Sequence, residues 1–153
     1  MTLKPFLLVL LALCVFLGCS SGLSKRPRNL GVTDGALAPC PQSPNCVSTR
    51  AEDEKHRVAP LSFSGSPADT MDRIVSLLME TPRVTLVTRT DHYLHAEVRS
   101  ALFRFVDDVE VLIDEVEGTL HFRSASRSGY SDFGVNRKRI ERLKKRLSSS
   151  LAD

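Results

Sequence analysis

The densest concentration of groups able to do chemistry lies late in the chain, where Asp107 and Asp108 are followed by Arg123, Ser124, Ser126, Arg127, Asp132, Asn136 and Arg137. Arginines are permanently charged, forked donors suited to carboxylates and phosphates, and backbone amides at a helix start near Asp132 would add a positive end. Such a set can form a pocket for an anionic group. The plainer reading is a structural web of ion pairs and hydrogen bonds tying the Ser128-to-Asp132 turn and the helix start to the rest of the domain. Catalysis is less well served. Adjacent Asp107 and Asp108 point to opposite sides of a strand, so they do not form an acid and base pair unless a bulge turns one of them. The serines have no histidine nearby in sequence to act as base. His92 and His95 fall on opposite faces of a strand, which removes the simplest metal pair, and with His56 and His121 they read as surface histidines. No metal and no cofactor is expected.

The cysteines carry the other chemistry. Lys4 and the apolar run from Phe6 to Leu17 form a signal-peptide start, with a run too short to span a bilayer. It ends in Phe16-Leu17-Gly18-Cys19-Ser20, which resembles a lipobox. The resemblance implies cleavage after residue 18 and a diacylglycerol on the Cys19 thiol, with palmitate among the added chains. Ordinary signal cleavage and an uncleaved anchor are the alternatives. Cys14 reads as a small apolar member of the signal core. Export makes the compartment oxidising, and Cys40 and Cys46 are then most economically a disulfide closing a short loop. A redox or metal pair is the alternative, although their spacing is neither the two-residue redox spacing nor a usual zinc knuckle.

These groups need a scaffold, and the chain has room for one domain. Residues 19–39 are rich in Ser, Gly, Pro and charge, so they read as a flexible tether leading to a globular domain over 40–153. Ser66-Pro67-Ala68-Asp69 is a helix start, followed by Met71, Ile74, Val75, Leu78 and Met79 at helical spacing and closed by Pro82. From Arg83 to Arg127 the period changes to two, giving strands at 84–90, 92–99, 105–116 and 119–127, with an extra one at 57–64. A last helix runs from near Asp132 to Ser149 and buries Ile140, Leu143 and Leu147. The expected fold is α+β, an antiparallel sheet of four to five strands with two helices packed on one face.

A two-residue loop at Glu117-Gly118 sets a definite register, with Ile113 opposite Phe122, Val111 opposite Ser124 and Asp108 opposite Arg127. It places Arg123 and Arg127 on a charged, outward face. Ser124 and Ser126 point to the apolar side, where Asn136 should meet them.

Three segments carry a resemblance: Cys40-Pro41-Gln42-Ser43-Pro44-Asn45-Cys46-Val47-Ser48, Phe103-Arg104-Phe105-Val106-Asp107-Asp108, and the run from Arg123 through Ser128-Gly129-Tyr130-Ser131-Asp132-Phe133-Gly134 to Arg137. Together they resemble the bacterial family of domain of unknown function 1499. The resemblance implies a fold and a set of motif positions, many exported or lipoprotein members, and no established reaction.

The last helix is strongly basic, with Arg137, Lys138, Arg139, Arg142, Lys144, Lys145 and Arg146 against a single Glu141. Held near a membrane by a lipid, it can touch anionic head groups; its plainer reading is a solvated face. A formal net charge of +3 and an exported location argue against nucleic acid as a partner. The sequence names no protein partner. It is read as a non-enzymatic cell-envelope lipoprotein, a binding or structural module at a membrane surface. In a Gram-negative cell, Ser20 after the lipidated cysteine points to the periplasmic face of the outer membrane. The alternative is an envelope enzyme or binding protein acting on an anionic ligand through the arginine cluster.

Overall fold

The computed structural model describes residues 24–151, so the signal peptide and Cys19 expected from the sequence lie outside the described residues. In chain order the elements are β1 (Val32–Thr33), β2 (Ala36–Leu37), β3 (Cys46–Ser48), β4 (Leu61–Ser62), α1 (Pro67–Met79), β5 (Val84–Arg89), β6 (Tyr93–Arg99), β7 (Val106–Asp114), β8 (Thr119–Ser126) and α2 (Val135–Leu151). The fold is α+β. β1 and β2 form a small hairpin, and the other strands make one six-stranded sheet in the order β3-β8-β7-β6-β5. β4 joins β3 on the outer edge of β8, each pairing antiparallel with a different stretch of it. The sheet therefore has one strand more than expected. The extra strand anticipated at 57–64 contracts to β4, while β3 lies in the segment carrying the two cysteines.

Local chemistry places the helices. Ser66 Oγ accepts from the Asp69 amide and Pro67 opens α1, as the sequence pattern requires. Asp132 accepts from the amides of Gly134 and Asn136 at 3.0 and 2.7 Å, occupying donors at the start of α2 that no helical carbonyl can reach. Both helices cover one face of the sheet. Met71, Ile74 and Leu78 from α1 and Ile140, Leu143 and Leu147 from α2 meet Leu94, Ala96, Val98, Val109, Val111, Ile113, Leu120 and Phe122 in a single core. Each large side chain so enclosed contributes about 1.5–3 kcal/mol through removal from water. Met79, at the end of α1, is exposed instead.

The β7–β8 register differs by two residues from the one counted from a two-residue loop. Val111 faces Phe122, Val109 faces Ser124 and Asp108 faces Ala125. The connection has four residues, 115–118, because Asp114 Oδ1 accepts from the Glu117 amide at 3.0 Å and holds a wider turn. Gly118 closes it with φ +60°, a conformation that suits glycine. A shift of two preserves which face each side chain occupies, so the division into an apolar and a charged face survives the change.

That charged face is not open to solvent. Residues 24–39, which read as part of a tether, form a strap that carries the β1–β2 hairpin across it, with Leu37 buried beneath. Donors on the strap reach carboxylates on the sheet: Arg26 Nη2 to Glu97 at 2.7 Å and the Gly31 amide to Glu110 at 2.8 Å. Gly31 sits at φ +103°, where only glycine is comfortable.

Candidate functional site

The chemistry-bearing residues separate onto the two sides of the sheet. Alternation puts Tyr93, His95, Glu97 and Arg99 of β6 beside Asp108 and Glu110 of β7, and these beside His121 and Arg123 of β8, on the face that the strap crosses. Arg127, just past β8, anchors its backbone on Val106 O and folds its side chain back along this face. Its guanidinium donates to both oxygens of Asp108, at 2.8 and 2.6 Å, and to Glu97 at 2.7 Å. Asp108 also accepts from His95 Nε2 at 2.7 Å, so that nitrogen carries the proton. Glu110, fully buried, takes Arg123 Nη1 at 2.9 Å, Tyr93 Oη at 2.8 Å and the Gly31 amide.

This is a network of mutually neutralising charges. Burial pushes the Glu97 and Asp108 carboxyls up, but the arginines outweigh it. Arg26 and Arg127 hold Glu97, and Arg127 with His95 holds Asp108, below their ordinary values. Bonding to Asp108, which outweighs the effect of burial, raises Arg127, and burial followed by Glu110 raises the Tyr93 phenol. Arg123 and Arg127 border a cleft of about 380 Å³ under the strap, rimmed by Pro27, Asn29, Pro39 and Pro41. Among the described residues, Arg123 Nε is buried without a hydrogen-bond partner.

The other half of the cluster faces the helices. Asn136, wholly buried on α2, donates to Asn45 O and Ser126 Oγ at 3.0 Å each and accepts from Ser124 Oγ. Arg139 bonds Asp107 at 2.6 Å and Ser124 Oγ at 3.0 Å. Asp107 and Asp108 thus serve opposite sides of the sheet, each with its own arginine. Arg137 belongs to neither half, and donates to the carbonyls of Arg57 and Lys55 in the loop before β4.

Three expectations change here. Arg123 and Arg127 are enclosed rather than outward, because the strap covers their face. His56, His95 and His121 are buried and only His92 is exposed, since strap and loop side chains bracket the sheet. Arg139, read as part of a basic surface, is drawn inward to Asp107. Glu97, Glu110 and Tyr93 also belong to the network, although their residue types alone do not mark them as members. Their common parity with Asp108 and His95 in the strands was the available signal.

Asp114, Glu117 and His121 bring ligand-type atoms within 4.8 Å of one another at the far end of β7 and β8. Arg50 already lies 3.6 and 3.7 Å from the two carboxylates, so a positive charge balances them. Burial, then Arg50, lowers the His121 pKa.

Cys40 and Cys46 are joined in a disulfide. Cys46 lies in β3 opposite Ala125, so the bridge ties the end of the strap to the sheet. The three segments that drew attention in the sequence converge on this arrangement: one supplies the disulfide and β3, one starts β7, and one runs from β8 into α2. The family model described as "Protein of unknown function (DUF1499)" matches residues 36–147. The chain belongs to that family. No curated protein matches the sequence.

Among the DUF1499 residues the deepest charged groups are Glu110 and Asp108, and both are supplied with donors from the strap side of the sheet. Two of those donors, Arg26 and Gly31, lie before the matched residues. Among the described residues no helix is long and apolar enough to cross a membrane.

Proposed function

We propose that this DUF1499 protein is an exported lipoprotein whose domain is a non-enzymatic binding or structural module at a membrane surface, anchored through Cys19. The observation that supports it most is the Cys40–Cys46 disulfide: such bridges persist in oxidising compartments, in agreement with the signal-peptide pattern of residues 1–18. The main polar cluster supports the non-enzymatic half of the reading. Its arginines are engaged by Glu97, Asp108 and Glu110, which leaves little net positive charge for a substrate. Mass spectrometry of the protein extracted from its own membranes should find diacylglycerol on Cys19 as the new N-terminus. An unmodified Cys19 thiol would overturn the anchor.

One observation favours the rival reading, an anionic ligand at the cleft beside Arg123: the Nε of that residue, buried next to the cleft with no hydrogen-bond partner among the described residues. Titration of the folded protein with inorganic phosphate separates the two. A rise in melting temperature that disappears in Arg123→Met would support a ligand; an unchanged melting curve supports a structural network.

A further inference from the structure

The end of the sheet where β6 turns into β7 has a surface unlike the rest of the molecule. Its loop exposes Leu102, Phe103 and Phe105, the last two with ring centroids 5.6 Å apart, and the segment after β8 exposes Tyr130 and Phe133. Among the described residues these are five of the nine large exposed apolar side chains. Arg104, between the two phenylalanines, and Phe133 both adopt positive φ, 58° and 54°, which residues other than glycine adopt at a cost in strain.

Beside this apolar tip opens a cleft of about 510 Å³ between the end of α1, the end of β6 and α2, lined by Arg83, Arg99, Arg139, Arg142 and Arg146. Its two acids are already engaged, Asp107 by Arg139 and Glu80 by Arg146. Arg142 forms no ion pair among the described residues, and the Arg83 guanidinium reaches only a backbone carbonyl. Arg104, on the tip itself, adds a further cation. An apolar tip flanked by Arg83, Arg104 and Arg142, none of them in an ion pair among the described residues, matches the head-group boundary of an anionic bilayer, where aromatic side chains enter the interface and basic ones meet phosphates.

The path of the strap gives an independent reason. It crosses the sheet from Gly31 at Glu110 to Arg26 at Glu97 and Ser24, whose carbonyl accepts from Arg127, the residue anchored beside the start of β7. The described chain therefore enters the domain at the same end as the aromatic tip. Cys19 precedes Ser24 by five residues, a reach of about 17 Å when extended, so a lipid there would hold this end against the membrane.

We infer that the Leu102–Phe105 and Tyr130–Phe133 loops, with the arginine cleft, form a docking face that inserts shallowly into the anionic leaflet carrying the anchor. The inference rests on the lipoprotein reading for its orientation, and the test separates the two. The chain contains no tryptophan, so Phe103→Trp makes a single reporter at the tip, and Val116→Trp makes one at the opposite, fully exposed end of the sheet. Each full chain would be purified from membranes, checked for folding by circular dichroism and for the state of Cys19 by mass spectrometry. It would then be reconstituted into phosphatidylcholine vesicles with or without phosphatidylglycerol. The indole of Phe103→Trp should shift its emission to the blue and be quenched by lipids brominated near the head group, more strongly with phosphatidylglycerol. The indole of Val116→Trp should stay in water. Arg83→Glu combined with Arg142→Glu should reduce the phosphatidylglycerol-dependent insertion about ten-fold or more. If, in lipidated chains, the tip reporter remains as water-exposed as the one at position 116, the docking face is overturned and the anchor stands. Insertion of the tip reporter in a chain with unmodified Cys19 does the reverse.

Discussion

The two faces of the sheet are built from the same strands by the same alternation, yet they are held by different physics. Under the helices, Phe122, Val111 and Leu94 pack against Ile74 and Ile140, and nothing about the contact depends on pH or on a particular partner atom. Under the strap, Glu110, Asp108 and Glu97 are held by Arg123, Arg127, Arg26 and a glycine amide, and each contact depends on geometry and protonation. Apolar burial tolerates small adjustments because it is non-directional, whereas a buried ion pair loses its compensation once one partner leaves. The helix face is held by apolar area; the strap face also fixes where a segment of otherwise aperiodic sequence must lie.

The largest effects should come from single truncations at the centre of each face. Phe122→Ala should cost about 3–5 kcal/mol through a cavity, and Arg123→Ala about the same through an uncompensated Glu110, both measured by denaturant unfolding. Restoring partners then breaks the symmetry. Replacing Arg123 with Met and Glu110 with Leu together should recover part of the loss, because the carboxylate that needed the arginine is gone while Tyr93 Oη and the Gly31 amide lose their acceptor. If the double variant is no better than Arg123→Ala alone, the strap face owes its stability to something other than charge pairing.

Acid should act first on the strap face. Glu97 and Asp108 titrate below their ordinary values of 4.5 and 3.8 in the folded protein, so their stabilisation is complete above those values and is lost as pH falls through the lower, folded ones. Protection of the Gly31 amide from hydrogen exchange, relative to its intrinsic rate at each pH, should fall in that range while the amides of α1 stay protected. Simultaneous release of both would show that the two faces unfold as one unit. His121 adds a separate loss that starts as pH drops below its ordinary 6.5, since its folded form favours the neutral ring.

Smaller effects test the links between the faces. Asn136→Ala should cost about 1–3 kcal/mol, because Asn45 O, Ser126 Oγ and Ser124 Oγ lose a common partner in the interior. Exchanging Cys40 and Cys46 for serine should cost about 2 kcal/mol or less, as expected for a short closed loop, and should loosen the strap end in hydrogen exchange before any other region.

Much of this molecule was determined by local chemistry that a sequence exposes. Ser66-Pro67 starts α1 because a hydroxyl and a proline suit the first helical positions, and Asp132 starts α2 for a similar reason. Strict alternation in β6, β7 and β8 assigns Ser124 and Asp108 to opposite faces even though the turn is two residues longer than expected, because a slip of two residues leaves the parity unchanged. Only the tertiary structure decided what covers the charged face. Residues 24–39 have almost no periodicity, and their bonds join partners 71 and 79 positions away, Arg26 with Glu97 and Gly31 with Glu110. A segment that takes its shape from distant carboxylates carries no local signal of it. For the same reason arginines that read as an outward cluster belong to a buried network, because their exposure is set by a covering strap and not by the strand that bears them.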